Sequence, residues 1–96
     1  MKYTLQVSSK AYSDIQIGID YYDYQQKGLG TRFHSVVIAT MDSIRQMPFA
    51  ASLAFGNLRY KVTDKFPYLI VYRIEGEIII VARVFNTYQR PEYLSA

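Results

Sequence analysis

The sequence predicts an α+β domain in the order β-α-α-β-β-β, an antiparallel sheet with a helical hairpin packed on one face. Three observations predict it. Residues 66–85 hold two long runs dense in β-branched and aromatic residues, joined by a tight turn at Glu75-Gly76-Glu77. Two patterns of helical period precede them, with Lys27-Gly28-Leu29-Gly30 as a short connection. An alternating run opens the chain, which at 96 residues is read as one domain spanning 1–96.

In residues 2–7, Tyr3, Leu5 and Val7 alternate with Lys2, Thr4 and Gln6, the pattern of a half-buried strand. Ser8 or Ser9 offers an N-cap, and Asp14 follows near the positive end of the coming helix. Ala11, Ile15, Ile19 and Tyr22 form its apolar stripe to about Gln26, where the glycine-bearing link supplies a C-cap. A second helix begins near Leu29 or Thr31, with Leu29, Phe33, Val36, Val37, Thr40, Ile44 and Met47 as its stripe, and ends at Pro48. So short a link makes the two helices an antiparallel pair. Residues 48–57 have no clean period and read as a loop. Leu58 to Val62 is a third strand, with Leu58, Tyr60 and Val62 opposed by Arg59 and Lys61, and Asp64-Lys65 turns into the central hairpin.

The register of that hairpin decides where its two interior charges, Arg73 and Arg83, emerge. A two-residue Glu75-Gly76 loop pairs Ile74 with Glu77 and sends the arginines to opposite faces. A three-residue loop pairs Ile74 with Ile78 and puts both on one face. The second is preferred because it stacks the wholly apolar faces together. It predicts an uncovered sheet face carrying Arg59, Lys61, Arg73 and Arg83 opposite the helices, with the Asn86 to Tyr93 tail leaving the same edge.

Composition excludes several classes. Half the residues are hydrophobic and a fifth charged, as in globular proteins. With no cysteine there is no disulfide scaffold or thiolate metal site, which fits a reducing cytosol and a cytoplasmic protein. No apolar run approaches the roughly 18 residues of a membrane span, and the first seven residues lack a signal-peptide core. A net charge of +3 and a pI near 9.2 are compatible with a nucleic acid or an acidic protein partner.

Little enzyme chemistry is visible. His34, the single histidine, projects off the stripe of the second helix and reads as a solvated side chain. The carboxylates are scattered, Gly28-x-Gly30 lacks the third glycine and the preceding strand of a dinucleotide loop, and no serine sits in a nucleophile elbow. No metal site, cofactor or small-molecule substrate is implied. What remains is cationic: Arg59, Lys61, Arg73, Arg83 and Arg90, with Tyr88 and Tyr93, can hold phosphates and stack a base. The bland reading gives these residues the solvated face of a half-exposed sheet, their stems covering apolar neighbours. Tyrosines 21, 22, 24, 60, 68 and 72 read as mostly core or near-core.

In order, Ala11-x-x-Asp14-Ile15 through Tyr21-Tyr22, Gly30-x-x-Phe33, Gly56-Asn57-Leu58-Arg59, Phe66-Pro67-Tyr68-Leu69-Ile70-Val71-Tyr72-Arg73, Val84-Phe85-Asn86 and Arg90-Pro91 resemble the RelE/ParE superfamily. These are toxins of bacterial type II toxin–antitoxin pairs, and the Pro-Tyr and Ile-x-Tyr-Arg run is closer to the ParE branch. The resemblance implies a RelE-like fold, a cognate antitoxin and one of two targets. ParE-like members bind DNA gyrase and trap its cleaved-DNA intermediate, which needs no catalytic residue. RelE-like members cut mRNA on the ribosome with basic side chains, here Arg59, Lys61, Arg83, Tyr88 and Arg90. Against that second activity, Leu69 stands where one RelE catalytic arginine is found, and Asn86 where many relatives carry histidine. The target-binding set expected from the uncovered face and the tail is Arg59, Lys61, Arg73, Arg83, Asn86, Tyr88 and Arg90. An inactive relative that serves only as an interaction protein is the third reading. A cationic open face suits an acidic antitoxin segment through a salt-sensitive contact.

Overall fold

The computed structural model describes residues 3–88. Its elements are β1 (Thr4–Val7), α1 (Ser9–Gln25), α2 (Leu29–Gln46), β2 (Ser52–Leu53), β3 (Arg59–Val62), β4 (Tyr68–Glu75) and β5 (Ile78–Asn86). The α+β architecture and the helical hairpin are as expected. The sheet differs in two respects. It is mixed, ordered β1-β5-β4-β3-β2, because β1 pairs parallel to β5 while the other neighbours are antiparallel. It also has a fifth strand, β2, where residues 48–57 were expected to be loop. Two residues are too few to leave a period in sequence.

Ser8 caps α1, its Oγ accepting from the Ala11 N–H at 3.1 Å. The stripes then meet the sheet. Ala11 and Ile15 of α1 and Phe33, Val37, Met41 and Ile44 of α2 pack on Tyr68, Ile70, Tyr72, Ile79, Val81 and Val84. Met41 is buried, whereas Met47, expected on the stripe, is 67 % exposed beyond the helix end. Rings of Tyr22, Phe33, Phe66 and Tyr68 close one end of this core, with Phe33 and Tyr68 centroids 4.7 Å apart. Tyr72 is fully buried and donates its hydroxyl to the Pro48 carbonyl at 2.6 Å, joining β4 to the segment that follows α2.

The hairpin of helices is held close at Gly30. A Cβ there would lie 2.4 Å from the Ile19 carbonyl oxygen and 2.7 Å from the Asp23 carboxyl carbon. The bare backbone instead lets the Gly30 N–H donate to Asp23 Oδ1 at 2.8 Å. The expected C-cap role of Gly28 is taken by Gln26, and Gly28 caps α2 at the other end of the link.

The register of the central hairpin corrects both alternatives weighed from sequence. Glu75 pairs with Ile78 and Ile74 with Ile79, so the loop is Gly76-Glu77. Gly76 has φ +60° as the first loop residue, the position where a type II′ turn requires glycine. That demand makes Glu75 a strand residue. A second shift follows: Tyr72 pairs with Val81 but Val71 pairs with Arg83, leaving Ala82 as an extra residue in β5.

Candidate functional site

Beyond Val81 the edge of β5 loses its partner strand, because β1 ends at Val7 and the chain turns into α1. The N-terminal half of α1 takes over that edge. Ser8 N donates to the Val81 carbonyl at 3.0 Å and Ser8 Oγ to the Ala82 carbonyl at 2.9 Å. Six residues on, Asp14 Oδ2 accepts from the Val84 N–H at 2.9 Å, as a strand carbonyl would. The same carboxylate grips Arg83 in a fork, Nε to Oδ2 at 2.7 Å and Nη2 to Oδ1 at 3.0 Å. Both side chains are largely buried, and the hydrogen bond to Asp14 holds the Arg83 pKa above its ordinary value. Beside this pair lies a cleft of about 190 Å³ lined by Asp14, Ile17, Tyr21, Tyr68, Val84 and Asn86.

The expected cationic face does not form. Residues paired across antiparallel strands share a face. Arg59 pairs with Tyr72 and Lys61 with Ile70, both core residues beneath the helices, so these two cations lie on the helix side of the sheet. Arg73 pairs with Ile80 on the other side and binds its near neighbour Glu75, Nε to Oε2 at 2.6 Å. By the same rule Arg83, paired with Val71 two residues from Arg73, stands on Arg73's side of the sheet as expected, but its guanidinium is turned to the β5 edge and bound to Asp14 of α1. Arg59 donates to the Ala51 carbonyl at 2.8 Å and stands 5.2 Å over the Phe49 ring, bracing the segment around β2. Asn86 lines the cleft and accepts from the Tyr88 N–H at 2.9 Å, while Tyr88 is exposed. Arg90 and Tyr93 lie outside the described residues.

A model of the ParE toxin of type II toxin–antitoxin systems, parDE, matches residues 5–91. The chain belongs to the ParE toxin family. Among solved structures it is similar to a chain of the chromosomal ParDE toxin–antitoxin system from P. aeruginosa. That likeness has a TM-score of 0.78 over 88 % of this chain and 96 % of that one, at 15 % identity, and shows a shared fold. No curated protein matches in sequence.

The motifs that carried the ParE likeness now have physical roles. In Ala11-x-x-Asp14-Ile15, the alanine and isoleucine pack into the core while the aspartate between them anchors β5. Sequence reasoning gave Asp14 only a helix-dipole role, because nothing local signals a partner 69 residues away. Two tyrosines expected near the core are instead on the surface of this ParE chain, Tyr21 at 52 % and Tyr24 at 92 % exposure. With Ile17 they follow Asp14 at spacings of three, four and three, a stripe along the outer side of α1 that borders the cleft. His34 is exposed, as its position off the stripe implies. Among the described residues no group of three or more His, Asp or Glu is placed to hold a metal, and no helix is long and apolar enough to cross a membrane.

Proposed function

We propose that this chain is the toxin of a type II toxin–antitoxin pair, that it inhibits growth by binding DNA gyrase, and that a cognate antitoxin neutralises it. The observation that carries this reading is the parDE family match over residues 5–91. Two features of the chain support a binding mechanism over mRNA cleavage. Arg83, the central candidate for a catalytic cation, has two of its donors committed to Asp14. The exposed Ile17, Tyr21 and Tyr24 stripe is the kind of aromatic surface that protein partners use. Action on gyrase would require the protein to be in the cytoplasm.

The test is expression of the chain alone in bacteria, read by a DNA-damage reporter and by mapping of mRNA ends. The proposal expects growth arrest with a DNA-damage response and intact mRNA, and relief on co-expression of the cognate antitoxin. Codon-phased mRNA cuts without DNA damage would overturn the gyrase assignment in favour of ribosome-dependent cleavage. Unimpaired growth would indicate an inactive relative.

A further inference from the structure

The cations of α2 and of the β3–β4 turn are arranged unlike those of the β5 edge. Three shallow depressions on this side share lining residues. One is lined by Lys27, Leu29 and Arg32, the next by Leu29, Arg32, Val36, Asp64 and Lys65, and the third by Val36, Lys61 and Asp64. Together they make one groove between the flank of α2 and the β3–β4 turn. It runs from Gly28 to Ser43, about 20 Å at helical rise. Lys27, Arg32, Lys65 and Lys61 are spread along it, all exposed, against Asp64 as its one acid. None of the four takes part in a salt bridge among the described residues.

Lys65 has φ +68°, a left-handed backbone that glycine or asparagine adopts at lower cost. The chain thus carries a cation on the groove lip at a strained position. Of the apolar lining residues, Leu29, Val36 and Phe66 are half-buried and Val62 is exposed, whereas the exposed tyrosines of the helices, Tyr12, Tyr21 and Tyr24, all stand on α1. The molecule therefore separates an aromatic surface suited to a protein from a cationic groove suited to a polyanion with regular charge.

We propose that this groove seats the phosphodiester backbone of a nucleic acid. The inference rests on the groove alone and does not depend on gyrase being the target. Contacts of this kind are sequence-independent and salt-sensitive, because each neutralised phosphate releases a counterion.

The test is fluorescence anisotropy of the full chain with a labelled DNA duplex of about 20 base pairs, and with a single-stranded RNA of similar length, as salt rises. Four phosphate contacts predict a log–log slope of about −3 to −4, and so about 100-fold weaker binding between about 50 and 200 mM salt. Arg32→Gln and Lys65→Gln should each weaken binding at every sequence and reduce the slope by about 1. Lys10→Gln, a charge removed from α1, should change neither the affinity of a fixed probe by more than about twofold nor its slope by a full unit. Whichever probe binds tighter identifies the source of the phosphates. Absence of binding to both at low salt would overturn the proposal, as would variants of Arg32 and Lys65 that bind like the parent. Tighter binding of a labelled polyglutamate peptide than of either nucleic acid would overturn it in favour of an acidic protein segment.

Discussion

Two cationic regions of this ParE-family chain have opposite fates. Along the β5 edge, Arg83 meets a carboxylate that also completes the strand's hydrogen bonding, and its charge is spent on structure. Along the groove between α2 and the β3–β4 turn, Lys27, Arg32, Lys61 and Lys65 face water with Asp64 as the one acid. The difference teaches that an arginine inside an apolar strand is a poor guide to a binding surface. Such a position is tolerated because a partner exists, whereas a cation on an exposed turn or element flank stays available.

Substitutions can break or sharpen this contrast. The largest effect is expected at Gly30→Ala, which presses a methyl group into the Ile19 carbonyl and separates the helices that frame both regions. A loss of about 3 kcal/mol in urea unfolding is expected, and a loss below about 1 would show that the hairpin yields easily. Asp14→Ala removes three hydrogen bonds and leaves the Arg83 guanidinium without its partner, for a loss of about 2–3 kcal/mol by the same measurement. Tyr72→Phe strips the buried Pro48 carbonyl of its donor and should cost about 1 kcal/mol in thermal or urea unfolding at neutral pH.

That substitution also has a pH signature. Burial raises the pKa values of Tyr22, Tyr68 and Tyr72 above the ordinary phenol value. The folded state therefore binds these protons more tightly than the unfolded chain. Their contribution is full below about pH 10 and is lost as pH rises through the folded values. Unfolding midpoints should fall above about pH 10, less steeply in Tyr72→Phe, and a flat profile would contradict the burial assignment. The smallest effects belong to the groove: Arg32→Gln and Lys65→Gln should leave stability within about 0.5 kcal/mol of the parent. A larger loss at Arg32 would mean that its charge, too, is committed to the fold.

What was legible in the sequence follows the range of each interaction. Helical stripes such as Ala11-Ile15-Ile19-Tyr22 are local, and both helices appear within a residue or two of their expected bounds. The three C-terminal strands were legible from composition, but their register turned on which loop residue needs positive φ, and Gly76 shifted it by one. The extra Ala82 and the parallel pairing of β1 with β5 depend on residues far apart in the chain, as does the Asp14–Arg83 contact. The face of β3 was misassigned for the same reason. Arg59 and Lys61 alternate correctly with Tyr60 and Val62, but alternation alone does not say which side the helices cover.

The most direct measurement is a double-mutant cycle on unfolding free energy with Asp14→Ala, Arg83→Ala and both together. If Arg83 belongs to the scaffold, the two losses fall short of additivity by about 1–2 kcal/mol, because either change alone already breaks the fork. Losses that add to within about 0.5 kcal/mol would contradict this and return Arg83 to the candidates for target binding.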